Sequence, residues 1–468
     1  LQAHPAIRDS STSRGLGDVY KRQSLSTVQT FRYRVDYLLI LKLNLEVCGH
    51  EHTEILKCVL LTEDDKDVLL AINFGFRSSL GLFLKPVSET FGYGREIFAF
   101  SLALQNLLWG LSQPLAGAFA DKFGTTRVII VGSILYSLGL YITATADSFI
   151  SLHIGAGILI GMGIAGTGLG VVLPAMARMV RPEKRAFALG VGTAAGSAGQ
   201  FFFIPVAREF LVAYGWQIAL IIMAIGALSM ILFAPIFRGD AKSNINIDNE
   251  PSQNLKEALS EASNHIHYWL LIAGFFVCGF QLAFITVHMP SYLADKGFDS
   301  SIAAISLSII GLCNIIGSLV SGHLSGIYSK KWILTFIYAA RSIVIVLFLI
   351  IPISTLTIYA FSFATGLLWL ATVPPTSGLV AQMFGLRFMG TLYGIVFLNH
   401  QIGSFTGVWL GGYLFDTTGS YNQVWWWAAI IAAITAIIHV FIDERPIKRL
   451  RMATEAVSYT HLTLPTKA

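Results

Sequence analysis

A long polar stretch lies in the middle of the chain, where residues 238–267 read RGDAKSNINIDNEPSQNLKEALSEASNHIH. Apolar blocks flank it on both sides, and many reach the ~20 residues that a helix needs to cross a bilayer. The chain is 54% hydrophobic and 13% charged, whereas a soluble domain carries about 25% charged residues. The sequence therefore predicts an all-α membrane protein, since the alternating ~10-residue strands of a membrane barrel do not occur in it.

The apolar blocks divide evenly around this polar stretch, six before it and six after it, which predicts twelve transmembrane helices. The predicted helices cover residues 67–89, 97–120, 127–146, 151–178, 186–212, 215–237, 268–292, 301–327, 332–353, 355–384, 388–415 and 424–442. The predicted domains are an N-terminal extension (1–66), a first half (67–237), a cytoplasmic linker (238–267), a second half (268–443) and a cytoplasmic tail (444–468).

Both ends of the chain resemble foreign sequence. The first methionine is Met162, deep inside the hydrophobic region, and residues 1–23 and 457–468 resemble translated adapter sequence from environmental gene assemblies. We expect residues 1–66 to be a non-native or disordered extension and the tail to end in non-native sequence. Neither end contributes to the fold prediction.

The two halves are related by an internal repeat, because landmark residues recur 204 or 205 positions later. A constant offset predicts two parallel six-helix repeats related by an axis along the membrane normal, with a binding site between them near the midplane. The repeat-related pairs are Pro86 with Pro290, Ser101 with Ser306, Gly117 with Gly322, Gly199 with Gly403, and Gly215 with Gly419.

Basic residues are concentrated in the loops on one side of the predicted helices. The positive-inside rule places that side, with both termini and the linker, in the cytoplasm, and we expect the membrane to be a bacterial inner membrane. The opposite side carries chiefly Lys85, Arg95, Arg208 and Lys296. Because the charges lie in short loops, membrane orientation explains the net charge of +5 better than nucleic-acid binding does.

The loop after the second predicted helix reads Gly117-Ala-Phe-Ala-Asp121-Lys122-Phe-Gly124-Thr-Thr-Arg127. It resembles the G-x-x-x-D-[RK]-x-G-x-[RK]-[RK] signature of major facilitator superfamily transporters, and the resemblance covers about residues 67–443. It implies the fold of that superfamily, with two repeats that rock around a central site. Asp121 would face a helix N-terminus or a loop arginine and close the cytoplasmic gate; alternatively, it only ends its helix.

A second resemblance concerns the entry to the fifth helix. Residues Arg185-Ala-Phe-Ala188-Leu-Gly190, with the segment GLFLKP at 81–86, are similar to the monocarboxylate-transporter and oxalate/formate-antiporter branch. The predicted gating motif consists of Gly117, Asp121, Lys122, Gly124, Arg127 and Arg185.

Arg77 lies near the middle of the first predicted helix, where a charged side chain is costly in lipid, so we expect it to face a wet cavity. The repeat offset relates it to Gln281 in the seventh helix. The sequence places no acid in the centre of any predicted span. Since arginine suits a carboxylate geometrically, the substrate could supply the missing charge; otherwise backbone carbonyls, Gln or His satisfy Arg77. For Arg341, in the ninth helix, we favour a structural role.

Other polar residues within the spans are further candidates, since such residues are functional-site hypotheses by default. His400 could bond the substrate or carry a proton, or be a buried neutral histidine. Gln105 is favoured over Asn106 and Gln113 in the second helix. The predicted substrate-binding residues are Arg77, Asn73, Gln105, Gln281, His288, Trp369, Thr372, His400 and Gln401.

The sequence thus predicts alternating-access transport of a small organic anion, most simply a carboxylate, with protons or a counter-anion as coupling partners and a monomer as the working unit. A drug exporter would need a buried acid, and a ligand sensor would tolerate loss of the gating motif. A membrane enzyme is disfavoured because the HExxH, GxSxG and P-loop patterns are absent from the sequence. No cofactor and no metal site is expected, as the four cysteines form no CxxC pair.

Overall fold

The computed structural model describes residues 65–92, 94–179, 185–237, 253–385 and 388–450. For Asp121 and for residues 185–191 it describes the backbone and not the side chains. The predicted N-terminal extension, apart from its last two residues, and the tail beyond 450 also lie outside the described residues.

The first half consists of six membrane-spanning segments. α5 (185–214) and α6 (216–237) run through one helical stretch, Arg185–Leu228, that bends at Gly215 and continues as Met230–Phe233 and Ala234–Phe237. The others are α1 (Asp65–Ser79, a 3-10 turn Leu80–Phe83, then Leu84–Phe91), α2 (Arg95–Phe123), α3 (Thr125–Ala144) and α4 (Phe149–Leu152, a π-helical turn His153–Leu159, then Ile160–Thr167 and Leu169–Met179).

The second half repeats this order after a short linker helix, Leu255–Ser263, which begins with a capping box between Asn254 and Glu257. Its segments are α7 (Ile266–Asp295), α8 (Ser300–Ile327), α9 (Lys330–Ile350), α10 (Thr355–Leu368 and Val373–Phe384), α11 (Met389–Thr418) and α12 (Asn422–Val440).

Within the described ranges, nine helices are long and apolar enough to cross a membrane. One of the nine, Gly192–Phe237, contains two spans joined at Gly215. α2 and α11 are not among the nine although they are 29 and 30 residues long, because they are more polar than the rest. Counting them, and counting the bent helix twice, gives the twelve spans of the predicted fold.

The repeat predicted from the sequence is confirmed by the backbone. Gly215, between α5 and α6, has φ 78°, and Gly419, between α11 and α12, has φ 68°. A residue with a Cβ rarely adopts this left-handed conformation, so the chain turns at the same repeat position in each half. Gly92 (φ 66°) and Gly297 (φ 84°) form a second such pair, after α1 and α7.

Two repeat-related glycines hold each half together at its centre. A Cβ on Gly199 of α5 would collide with the carbonyl oxygen of Ala71 in α1, and a Cβ on Gly403 of α11 would collide with that of Phe276 in α7. Small residues at such crossings let helix backbones approach closely where apolar burial gives no driving force. The halves then meet through α1 with α7, α2 with α11, and α5 with α8.

We predict that Gly199→Ala and Gly403→Ala each destabilise the protein, by about 1–3 kcal/mol, because backbone must move to accept the new methyl group. The measurement is the thermal unfolding midpoint in detergent. Gly394→Ala is the matched control on α11, since no described atom lies within 4 Å of the position of its Cβ. Equal midpoints for all three variants would contradict the proposed crossing.

Candidate functional site

The two halves each contain a broken helix at corresponding positions. α4 is interrupted at Gly168, directly after Thr167, and α10 is interrupted between Leu368 and Val373. Thr167 and Thr372 are separated by the repeat offset of 205. Discontinuous helices at equivalent places in two repeats commonly mark the binding site of a transporter, so the residues around these two breaks are the candidate site.

A pair of repeat-related hydrogen bonds connects these breaks to α1 and α7. In the first half Asn73 donates to Thr167 Oγ1 at 2.5 Å. In the second half Cys278 Sγ and Thr372 Oγ1 are 3.2 Å apart. Asn73 and Cys278 are also 205 positions apart. The same contact is therefore made twice, by an amide in one half and by a thiol in the other.

Arg341 of α9 binds the end of the first part of α10. Its guanidinium donates to the carbonyl oxygens of Leu368 (Nη2 at 2.6 Å) and Trp369, which the break leaves without helical partners. Arg341 also donates to Gln281 Oε1 at 3.4 Å, while Gln281 Nε2 donates to the carbonyl of Ala428 at 2.8 Å. Both amide atoms of Gln281 are thus used within the second half, although the repeat offset had suggested that it shares a cavity with Arg77.

The environment of Arg77 lies between α1 and α2. Its Nη2 donates to Asn106 Oδ1 at 2.6 Å, and the guanidinium carbon lies 4.8 Å from the centre of the Trp109 ring. The side chain is partly accessible, and its buried Nε has no hydrogen-bond partner. No carboxylate among the described residues pairs with it, so the cation is held by an amide and an aromatic face only.

The residue that contacts Arg77 is Asn106 rather than Gln105, which had been favoured from the sequence. Gln105 Nε2 donates to the carbonyl of Ala156 in α4 at 2.9 Å and so packs inside the first half. Neighbouring residues on a helix point about 100° apart, and hydropathy alone does not show which of them faces α1.

α11 supplies the opposite wall of this region. The ring of Phe397 lies 5.5 Å from Trp109 and stacks on His400 at 5.8 Å. His400 Nδ1 and both amide atoms of Gln401 are buried and have no hydrogen-bond partner, and Gln401 packs on Gly110 of α2. A buried polar atom without a partner costs about 1–3 kcal/mol, so these atoms, with Arg77 Nε, indicate a place for a polar ligand or water.

Asn314 of α8 was not singled out from the sequence, yet it joins the two halves beside the α10 break. Its Nδ2 donates to Ser197 Oγ of α5 at 2.8 Å, and its Oδ1 accepts from the backbone N–H of Leu370 at 2.9 Å. The sequence signal for this contact is a polar amide inside an apolar helix.

His288 lies away from this centre, near the end of α7. Its Nε2 donates to the carbonyl of Val408 at 2.7 Å, and its Nδ1 is 3.2 Å from the hydroxyl of Tyr421. The ring is completely buried. His288 therefore belongs to the network that closes one end of the bundle.

We call this end the closed end; it is where α1 and α7 finish and α2 and α8 begin. Arg95 of α2 binds the carboxylate of Asp295 at the end of α7 through two nitrogens, at 2.5 and 2.6 Å. The same guanidinium donates to Tyr421 at 3.1 Å and lies 3.9 Å from the centre of the Phe415 ring. Arg208 of α5 pairs with Asp299, the N-cap residue of α8, so both pairs cross between the halves.

The N-terminus of α2 is capped by a residue of the other half. Asp416 of α11 accepts from the backbone N–H groups of Arg95 at 2.9 Å and Glu96 at 2.7 Å. A carboxylate at a helix N-terminus satisfies free donors and the helix dipole together. The closed end is thus held by ion pairs and by a helix cap.

We call the other end, where α2 finishes and α11 begins, the open end. α2 and α11 touch from Gly412 beside Glu96 down to Gln401 and Leu398 beside Gly110. Beyond this point no described atom lies within 4 Å of a Cβ built on Gly117, Gly124, Gly390 or Gly394. Lys122 and Arg127 are exposed. The contacts predicted for Asp121 and Arg185 lie outside the described side chains, so closure by the gating motif stays a prediction.

Comparison with known proteins identifies related chains. A family model described as Major Facilitator Superfamily matches residues 68–408. The chain is similar to an uncharacterized MFS-type transporter, YcxA, of Bacillus subtilis, with 24% identity over 80% of this chain and 93% of the relative. It is also similar to YhjX of Escherichia coli, an uncharacterized MFS-type transporter (29% identity, 65% of this chain and 76% of the relative), and to monocarboxylate transporter 13 of Bos taurus (24%, 75% and 82%).

Two solved structures share the fold. A bacterial homolog of the human lysosomal transporter Spinster, in an inward-facing and occupied conformation, aligns with TM-score 0.60 and 14% identity over 84% of this chain and 96% of its own. The fucose:proton symporter FucP of E. coli aligns with TM-score 0.54 and 16% identity, over 81% and 98%.

We predict that Arg95→Gln opens the closed end, because it removes the charged contacts to Asp295 and leaves that carboxylate without its main partner. Hydrogen bonds to charged groups contribute about 1.5–3 kcal/mol, enough to change the ratio of two states roughly tenfold or more. The measurement is the distance between spin labels on Glu89→Cys and Thr417→Cys, which should lengthen. Lys85 lies 3.5 Å from the same carboxylate and is more exposed, so Lys85→Gln should lengthen the distance between the labels less. An unchanged distance in Arg95→Gln would show that the Arg95–Asp295 contact does not hold this end closed.

Proposed function

Because this chain belongs to the major facilitator superfamily of membrane transporters, we propose that it carries a small organic anion with a carboxylate group across the membrane by alternating access. The observation that carries the proposal is Arg77, a cation at the centre of α1 without a carboxylate partner in the described ranges. The cost of a central arginine in lipid, about +2.5 to +3.5 kcal/mol, is offset when an anionic ligand completes its bonds.

Arg77 suits a carboxylate for geometric reasons. Asn106 occupies one terminal nitrogen, at 2.6 Å, and Nε is unpaired, so donors of the planar guanidinium remain for a ligand. Charge-assisted bonds of this kind are roughly twice as strong as neutral ones. Trp109 on one side of the guanidinium fixes its plane by a cation–π contact.

We further propose that the second half binds the remainder of the same substrate. Gln401 and His400 bring unpaired polar atoms to the wall opposite Trp109, and Gly279 packs on the backbone of His400, which sets Cys278 beside it. Thr372 at the break in α10 completes this surface. Because this surface contains no Asp, Glu, Lys or Arg side chain, it fits the polar or apolar body of an anion better than a second charge.

The relatives named monocarboxylate transporters agree with this substrate class, although they are 22–25% identical. The remaining sequence predictions enter the proposal unchanged: a bacterial inner membrane, cytoplasmic termini and linker at the open end, six-helix halves over 67–237 and 268–443, and a monomer. Protons or a counter-anion are the proposed coupling partners. In this orientation the closed end faces outward.

We predict that Arg77→Gln lowers the uptake of carboxylates into proteoliposomes by at least about tenfold, because the only proposed counter-charge for the substrate is lost. A tenfold drop corresponds to the loss of one charged contact of ~1.4 kcal/mol. Arg77→Lys should retain part of the activity, since it keeps the charge but not the planar fork. The assay uses labelled mono- and dicarboxylates with and without a proton gradient. Lys256→Gln, exposed on the linker helix, is the control, and wild-type uptake by Arg77→Gln would exclude the proposal.

We also predict that a transported carboxylate slows alkylation of Cys278 by a membrane-permeant maleimide, because the thiol would lie against the bound substrate. Two proteins are compared, one with Cys278 as its sole cysteine and one with Cys313, which packs on Gly366 of α10. Both thiols are buried, so Cys313 reports general opening of the second half. Equal protection of both thiols, or of neither, would contradict contact between Cys278 and the substrate.

A further inference from the structure

A cavity lies at the open end, between the start of α7, the linker helix and residues 443–450 that follow α12. Its volume is about 380 Å³, within the range of about 300–1,000 Å³ typical of small-molecule sites. Charged and imidazole side chains surround it: Glu261, His265, His267, Asp443, Arg445 and Lys448.

The walls of this cavity are fixed by hydrogen bonds to α10. The backbone N–H of Ile447 donates to the carbonyl of Met383 at 3.0 Å, and Gln382 Nε2 donates to the carbonyl of Glu444 at 3.0 Å. Arg449 Nη2 donates to the carbonyl of Phe384 at 3.2 Å. Residues 443–450 are therefore anchored to the second half, so the cavity exists before any ligand binds.

The two acids of the cavity already have partners. Asp443 accepts from Arg445 Nε at 2.8 Å and from Nη2 at 2.6 Å, and these hydrogen bonds hold the pKa of Asp443 well below its usual range. Glu261 accepts from Gln253 at 2.8 Å and from Arg449 Nε at 3.4 Å. Neither carboxylate is left to attract a cation.

The nitrogen-bearing groups, in contrast, are incompletely bonded. His265 Nδ1, His267 Nδ1 and Arg449 Nη1 are buried atoms without a hydrogen-bond partner. The two imidazole rings are 5.2 Å apart, and Lys448 adds a cation to the lining. Burial, together with His267 nearby, lowers the pKa of His265, so this ring is a neutral donor or acceptor at physiological pH.

We propose that this cavity binds a phosphate group through His267 and Lys448, which line it, with Arg449 beside them next to the lining residue Glu261. A phosphate presents several strong acceptor oxygens, which matches donors converging from the start of α7 and from residues 443–450. The group belongs either to a soluble phosphate compound or to the headgroup of an anionic phospholipid, because the cavity lies beside the ends of α7 and α12. A bound phosphate joins the start of α7 to residues 443–450 directly beside Glu261 of the linker helix, which is a role separate from transport itself.

A metal ion fits this cavity less well. Two histidines and a carboxylate can hold a transition metal, but no three His, Cys, Asp or Glu residues converge on a metal position within the described ranges. Arg445, Lys448 and Arg449 would also repel a cation.

The test uses the purified full-length protein, labelled inorganic phosphate in detergent, and reconstitution in vesicles of phosphatidylcholine alone or mixed with phosphatidylglycerol. Hydrogen exchange of the linker helix, Leu255–Ser263, reports occupancy in both settings. We expect saturable binding that Lys448→Ala and His267→Ala each weaken by about tenfold, while Lys256→Ala, exposed on the same linker helix, binds like the wild type. Two variants are used so that misfolding of one does not decide the result.

Slower exchange with inorganic phosphate supports a soluble ligand. Slower exchange only in phosphatidylglycerol vesicles, lost in Lys448→Ala, supports the lipid headgroup. The proposal is overturned if neither condition slows exchange, if all variants bind equally, or if Zn²⁺ binds tightly through His267 while phosphate does not bind. Carboxylate uptake is measured separately, so an inactive Arg77 variant leaves this result unaffected.

Discussion

A polar group inside a bilayer has no water to bond with, and the polar contacts at the centre of this structure follow from that constraint. The breaks in α4 and α10 leave backbone carbonyl oxygens without helical partners. In α10, Arg341 donates hydrogen bonds to the carbonyl oxygens of Leu368 and Trp369. Asn73 and Cys278 bond the threonines beside the two breaks. Buried polar atoms of Arg77, His400 and Gln401 have no hydrogen-bond partner. The same constraint therefore indicates that a polar ligand or water binds at these atoms.

The fold was predictable because its signals are long and repeated. Twenty-residue apolar blocks define the helices, and an offset of 204–205 appears again in the left-handed glycines Gly215 and Gly419. The partners of single side chains were less predictable. The sequence paired Arg77 with Gln281 by an offset of 204, but the contacts of α1 and α7 follow an offset of 205, as Asn73 and Cys278 show. Gln281 therefore faces elsewhere and binds Arg341. Likewise, Gln105 and Asn106 are adjacent on α2, and the sequence alone did not show that Asn106 is the one that faces Arg77.

The two halves share a backbone plan but differ in chemistry at equivalent positions. In the first half an amide meets a hydroxyl at 2.5 Å, and in the second a thiol meets a hydroxyl at 3.2 Å. A thiol is a weak donor and acceptor, so Thr372 is held less firmly than Thr167. The cation Arg77 lies in the half with the firmer break, and the unpaired imidazole and amide atoms of His400 and Gln401 lie in the other. The repeat thus gives both halves the same backbone arrangement. The different side chains at repeat-related positions place the positive charge on one side of the site and uncharged or imidazole groups on the other.

Asp416 caps a helix that belongs to the other half of the protein, so the end of α2 is complete only while α11 lies against it. Any motion that parts α11 from α2 at the closed end uncaps the backbone N–H groups of Arg95 and Glu96. Because Asp416 is exposed, water takes its place there. Loss of a cap costs about 0.5–2 kcal/mol at equilibrium. A single carboxylate thus couples the local stability of a helix in one half to the position of the other half.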